Sequence, residues 1–262
     1  MTCGMGVDVL VMCNFRLGAL HDDKRSRSGL STPLFFRGFN QGRSMTDKRN
    51  RTMELELEST FCLSNLGLSY SKLDDLQVTR IQTAIKIDGG IELSEEELDE
   101  KLALGDYPEP IQIGRMQAHR FDLYYNQREV MIVADCLTSD LSYFASFFLL
   151  EEGRDAIEFN RYLFYINSVF IEPKYRGRDY GLQALAMFLQ GLAWGEVVGC
   201  HPVPTDDLSD KYPKEKGQSL LRKYWSKVGF ELYSEKHNIL WTPEWEMPCW
   251  LRNKIFQEQQ WY

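Results

Sequence analysis

The 262-residue chain contains no Cys-x-x-Cys pair. Its six cysteines, at positions 3, 13, 62, 136, 200 and 249, are scattered, and no cysteine–histidine group has the spacing of a zinc site. Isolated thiols in a chain of this size suit a reducing compartment. No stretch reaches 18 apolar residues. The run VDVLVMC at 7–13 is too short to span a bilayer and lacks the positive charge that precedes a secretory signal. The chain therefore reads as cytoplasmic, with no membrane partner. Gly-x-Gly-x-x-Gly and Gly-x-x-x-x-Gly-Lys are both missing, so dinucleotides and nucleoside triphosphates have no fingerprint. Gly-x-Ser-x-Gly is missing too, as is a paired Cys/His signature, which removes the usual marks of a covalent nucleophile. There is no internal repeat and no low-complexity tract.

What is present is ordinary for a globular protein: 44% hydrophobic and 26% charged residues. The net charge of −8 is unevenly spread. Residues 1–52 hold nine Lys or Arg against four acids, giving +5; the remaining 21 against 34 give −13. An acidic body repels nucleic acid and favours cationic partners, although acidic surfaces also serve solubility alone. Residues 1–52 show no sustained period. They read as a disordered basic tail, as sequence ahead of a start at Met45 or Met53, or, least well, as a nucleic-acid arm, since basic and aromatic residues do not interleave.

From Met53 onward, periodic segments follow one another. Residues 76–87 alternate roughly with period two and contain β-branched residues, which predicts a strand. Ser94 with Glu97 forms a capping-box signature opening a helix to about Leu104. Ile111–Tyr125 reads as a strand, Asn126-Gln127-Arg128 as a tight connection, and Glu129–Asp135 as a second strand of a hairpin. Thr138 starts a helix with its apolar stripe at Leu141, Phe144, Ala145, Phe148 and Leu149. Tyr162–Ile171 is nearly all apolar, as in a strand covered on both faces, and Pro173 marks its exit. A helical face follows at Leu182, Leu185, Ala186, Leu189, Leu192 and Ala193. Then come a short strand at 196–200, a polar loop at 204–217, a helix from Leu220 to Val228 stopped by Gly229, and strands at 230–233 and 239–241. The interleaving predicts one α/β or α+β layered domain over 54–245, followed by a tail at 246–262.

The junction YRGRDYG at 175–181 is where chemistry concentrates. The first four N–H groups of a helix have no partner within it and carry partial positive charge, so an anion suits them. Gly177 and Gly181 let backbone approach a bulky ligand, and Lys174, Arg176 and Arg178 add charge. A phosphate or pyrophosphate seat at 176–181 follows. An ordinary strand-to-helix turn with a solvated basic cluster fits these six residues equally.

The stretch from Ile171 to Gly181 resembles the acetyl-CoA-binding motif of the GNAT superfamily of N-acyltransferases, in which a strand runs into Val-x-Pro-x-Tyr-Arg-Gly and then Arg/Gln-x-x-Gly-x-Gly/Ala before a helix. Ile171, Pro173, Tyr175, Arg176, Gly177 and Gly181 match; Asp179 replaces the middle glycine. A carboxylate there repels a pyrophosphate unless it turns away or caps the helix. The segment QSLLRKYWSKVGFELY at 218–233 is similar to the family's later helix, with Gln218 at its asparagine position and Gly229-Phe230 in place. The family's thiolate-protonating tyrosine falls on Trp225, and Tyr224 lies one residue earlier, about 100° round the helix.

The resemblance covers residues 166–233. It implies a mixed, mostly antiparallel sheet flanked by helices, with acetyl-CoA or another acyl-CoA as co-substrate. Direct transfer of an acyl group to the amine of a small-molecule or peptide acceptor follows from it; a non-catalytic acyl-CoA-binding or interaction module is the other reading. The helix expected at 139–152 is an insertion in that frame. The resemblance puts the pantetheine along 166–171, near backbone groups of Val169 and Ile171, and the diphosphate against Arg176, Gly177, Arg178, Asp179, Tyr180 and Gly181, with Gln218 beside it. Such transfer needs a proton acceptor for the amine. Asp135 at a strand end, His201 at the end of the strand beside the cleft, and Glu172 are the candidates, His201 being closest to neutrality by type. Tyr224 is the candidate acid. Asn167 either orients an acceptor or serves backbone. The aromatic set Phe164, Tyr165, Phe170, Tyr224 and Trp225 lines a pocket or fills core. No metal is implied, nucleic acid is not expected as a partner, and a homodimer stays open.

Overall fold

A computed structural model describes residues 11–15, 55–63, 77–204 and 207–256 of the chain. The expectations for the rest of 1–52 and for Trp261 and Tyr262 fall outside these residues. Eight strands form one sheet: β1 (Val11–Phe15), β2 (Leu55–Leu63), β3 (Val78–Ile87), β4 (Ile111–Asp122), β5 (Tyr162–Ile171), β6 (Val197–Cys200), β7 (Leu232–Ser234) and β8 (Ile239–Thr242). Their spatial order is β1-β2-β3-β4-β5-β6-β8-β7. Every pairing is antiparallel except β5 with β6, which run parallel. The protein is thus a mixed α/β structure on a mostly antiparallel sheet. The strand Val11–Phe15 pairs with β2 inside the segment expected to be a disordered tail. A run of five β-capable residues can extend an open sheet edge however polar its flanks.

Seven α-helices occur among the described residues. They are α1 (Glu95–Ala103), α2 (Gln127–Leu137), α3 (Ser139–Leu150), α4 (Tyr180–Leu192), α5 (Asp207–Lys211), α6 (Lys214–Trp225) and α7 (Cys249–Phe256). Ser94 and Glu97 make the expected reciprocal capping box for α1. None of the described helices is long and apolar enough to cross a membrane.

Side-chain alternation along the strands sorts the core into two layers. Phe164 and Ile166 of β5, with Ile81, Ile85, Met116 and Ala118, pack under α4. Leu163 and Tyr165, with Val78, Phe121 and Val197, pack under α2 and α3. Strand β5, covered on both sides, is therefore apolar at every position from 162 to 166.

Three expectations need correction. Glu129–Asp135 is not a strand: it lies in α2, whose buried residues Val130 and Ala134 are spaced i, i+4. Asn126 does not make a hairpin turn but caps that helix, accepting from Arg128 N at 2.9 Å. The polar stretch 204–217 is not wholly loop, because α5 and the start of α6 lie in it. Beyond residue 245 the chain stays packed: Met247 and Leu251, like Trp245 before them, are buried in the layer that holds α4. The indole of Trp245 donates to Val228 O at 2.8 Å.

Candidate functional site

Strand β5 is the axis of the site. It pairs with β6 only from Leu163↔Val197 to Ile166↔Cys200, and its second half, 167–171, continues beyond β6. On the other side β5 stays paired with β4, but the register slips between Gln117 and Ala118, so that Asn167 is the extra residue of a bulge. A bulge bends its strand and increases the local twist. The parallel pair therefore opens at Asn167. The cleft so formed is lined by Asn167, Ser168 and Val169 of β5, Cys200 and His201 at the end of β6, and Leu221 and Trp225 of α6.

The turn from β5 to α4 is tied down at several points. Tyr175 Oη and Lys174 Nζ both donate to Glu92 Oε1, at 2.5 and 3.0 Å, which holds the Glu92 carboxyl below its ordinary range. Arg176 folds back, donating from Nε to Ile171 O at 2.8 Å, its guanidinium over the Phe170 ring. Gly177 takes φ +81° in open space. Asp179, at φ +60°, takes the left-handed conformation that favours glycine and that Asp tolerates. Its carboxylate does not cap α4; it accepts from Lys254 Nζ of α7 at 2.7 Å. The sequence left open whether Asp179 would cap or turn away, and a residue 75 positions distant draws it aside.

Helix α4 opens at Tyr180, at the expected junction, with its first turn against the free half of β5. A Cβ on Gly181 would stand 3.6 Å from Ile171 Cγ1, 3.9 Å from Val169 Cγ1 and 3.0 Å from Tyr224 Oη. Val169, Ile171, Gly181 and Tyr224 thus meet at one place. The Tyr224 hydroxyl is pushed up to about 12, by burial first and then by the charge of Asp179, against a backbone hydrogen bond with Leu182. Tyr224 is therefore a neutral phenol at the helix start. Gln218 is half-buried on α6, three and seven residues before Leu221 and Trp225 and so on the face that lines the cleft. Arg178 is exposed and Tyr180 buried.

The candidate bases separate. Asp135 is exposed on α2, on the opposite side of the sheet from α4 and away from the cleft, since its segment is a helix rather than a strand end. Glu172 donates its N–H to Ile113 O and extends the ladder of β5 by one residue, up to the turn. His201 is in the cleft wall. Its Nδ1 lies 3.0 Å from Asn238 O. A carbonyl only accepts, so Nδ1 carries the proton and Nε2 keeps the lone pair. Burial lowers the His201 pKa, against the Asn238 hydrogen bond and the Asp140 charge. The ring is therefore neutral near pH 7 and able to take a proton. Its neighbour Cys200 is buried, and burial pushes the thiol well up, so it is no thiolate nucleophile.

Of the aromatic set, Phe164 and Tyr165 are core, Phe170 carries the Arg115 and Arg176 cations, and Trp225 lines the cleft. Sequence reasoning missed Lys254 and Asn238. Neither belongs to a local pattern, and both act through the residues they touch. No group of three or more His, Cys, Asp or Glu side chains able to hold a metal occurs among the described residues. No protein-family model, curated protein or solved structure matches the chain.

Proposed function

We propose that the cleft between β5 and β6 binds an acyl-CoA and passes its acyl group directly to an amine. The observation that carries this reading is the opening of the parallel pair after Ile166, beside a helix start approached through two left-handed residues, Gly177 and Asp179. The free half of β5 offers an extended backbone edge for an amide-bearing arm such as pantetheine, as an added strand would take. The start of α4, with Arg176 and Arg178 nearby, suits a diphosphate. The Asp179–Lys254 pair keeps a carboxylate from opposing it. The neutral His201, with its Nε2 lone pair, stands at the other end of the cleft, where it accepts a hydrogen bond from the amine and orients it. An amide N–H along the bulge at Asn167 would polarise the thioester carbonyl.

Tyr224 favours the second reading, a non-catalytic acyl-CoA-binding module. Its hydroxyl is engaged at the first turn of α4, and Trp225, which cannot give up a proton usefully, takes the position in the cleft.

Calorimetry with acetyl-CoA and longer acyl-CoAs, joined to hydrogen exchange over 176–182, tests both. Saturable binding well below about 1 mM with protection of that turn is expected. Binding without CoA release across an amine panel selects the second reading, and no binding at about 1 mM removes both.

A further inference from the structure

A second set of proton-carrying side chains lies on the α3 side of the sheet. Tyr143 Oη stands 2.9 Å from His237 Nδ1, and His237 Nε2 stands 3.1 Å from Glu151 Oε2. Tyr143 is on α3 and Glu151 is the residue that ends it; His237 comes from the turn between β7 and β8. The His237 side chain is only 4% exposed and is packed on the Phe147 ring at 5.2 Å. Its Nε2 and the Glu151 carboxylate are at ion-pair distance without the alignment of a hydrogen bond. The carboxylate charge 3.1 Å from Nε2 favours the tautomer that carries the proton there, by charge and not by a hydrogen bond. Nδ1 then holds the lone pair, and the Tyr143 phenol donates to it. A carboxylate orienting an imidazole that in turn receives a hydroxyl proton is the arrangement that activates an oxygen nucleophile or base.

The placement is as informative as the chemistry. Tyr143 is 42% exposed although its partner is buried. Its ring lies 5.8 Å from that of His201, which lines the cleft. One turn serves both histidines. His237 supports Tyr143, and the next residue, Asn238, gives its carbonyl to His201 Nδ1. Asn238 holds a left-handed φ of +49°, and its side-chain oxygen accepts from Tyr233 Oη at 2.9 Å. A strained turn pinned at both of its polar ends is one that the surrounding structure over-determines.

We infer that Tyr143, backed by His237 and Glu151, is a proton-transfer site beside His201 on the α3 side of the sheet, taking the proton of an amine that reaches through the opening between β5 and β6. The identity of that amine rests on the acyl-CoA reading; the activated phenol does not. In the step, the amine nitrogen bonds to the thioester carbon and the C–S bond breaks. The amine proton passes to the Tyr143 oxygen while the phenol proton passes to His237 Nδ1. CoA leaves as the thiolate and takes a proton from water, and the imidazolium, paired with Glu151, returns one. Tyr143 is the catalytic residue here, and His237 and Glu151 are positioning residues.

Labelling with N-acetylimidazole tests the phenol without any acyl-CoA. In that reaction His237 takes the phenol proton as the tyrosine oxygen bonds to the acetyl carbon, the acetyl C–N bond breaks, and the proton then passes from His237 to the departing imidazole nitrogen. Site-resolved mass spectrometry of the full chain should show Tyr143 acetylated at least about 10-fold faster than Tyr124, which is twice as exposed at 86%. His237→Gln should bring the ratio to about one and Glu151→Gln should lower it, with Tyr124 in the same sample as the clock. A ratio near one in the unaltered protein, or one that survives His237→Gln, overturns the activated phenol. Tyr143→Phe should then keep acetyl-CoA affinity while CoA release to an amine falls about 100-fold. Unchanged release with unchanged affinity overturns the amine-proton role and leaves the acyl-CoA reading standing. Absence of acetyl-CoA binding in the unaltered protein overturns that reading and the amine-proton role together, while the labelling ratio still decides the phenol.

Discussion

Replacing Gly114 with alanine tests the strand pairing on which the cleft depends. Gly114 of β4 stands opposite Ile171, the last residue of the free half of β5. A Cβ there would lie 2.3 Å from Phe170 O and 2.9 Å from Ile171 Cδ1. A carbon meets a carbonyl oxygen comfortably at about 3.3 Å, so the two strands would have to part by about 1 Å. The isoleucine tip can rotate away, but the carbonyl belongs to the backbone and cannot. Overpacking of this kind costs about 1–3 kcal/mol, and opening one rung of the ladder adds about 0.5–1.5 kcal/mol. A loss of about 2–4 kcal/mol results. With a urea slope of about 3 kcal/mol/M, the unfolding midpoint should fall by about 1 M with the slope unchanged. Gly105→Ala is the control: φ there is +76° with nothing within 4 Å, so strain alone should cost about 1–2 kcal/mol. A Gly114→Ala midpoint within about 0.2 M of the unaltered protein would refute the close approach of β4 to β5 at this rung.

His119 gives a pH signature. It is buried on β4 against Tyr165 with Nδ1 unpartnered, and its pKa is lowered to about 4 by burial first and the Arg80 charge second. The unfolded chain protonates this side chain near 6.5. Its contribution is fully present above 6.5 and is lost as pH falls toward 4, by roughly 3 kcal/mol at about 1.4 kcal/mol per pH unit. His119→Phe should flatten the stability curve between pH 6.5 and 4 relative to the unaltered protein; parallel curves would contradict this origin. Leu251→Ala, at a fully buried position on α7, should lower stability by about 2–5 kcal/mol in urea titration. A change below about 0.5 kcal/mol would mean that α7 does not belong to the core.

Where local chemistry was decisive, the elements were legible. Strand β5 and helix α4 fall within two residues of their reading because an apolar run closed by Pro173 and a 3.6-residue stripe leave little choice of structure. The segment 129–135 misled because Val130, Ile132 and Ala134 alternate as in a strand, yet only Val130 and Ala134 are buried, at helical spacing. Short apolar runs fit both periods, and Asn126 was the signal that separates them, as a helix cap rather than a turn. The start of α6 was missed because its first turns are polar. Gly217 there lies against Pro204, where a Cβ would come within 2.6 Å, a fit that no periodicity announces. Asp135 dropped out of the candidate site for the same reason that its segment was misread.

Period, caps and breakers act over a few residues, and so the chain alone determined the strand–turn–helix junction, the place where α4 begins and most of the order of elements. The opening of β5 from β6 at Asn167, the withdrawal of Asp179 by Lys254, the tautomer of His201 set by Asn238, and the meeting of Tyr143 with His237 and Glu151 belong to tertiary structure. The side-chain partners in these contacts stand 37 to 94 residues apart. Which side chains meet at such separations is set by how layers pack and twist, and a linear pattern carries no period for that.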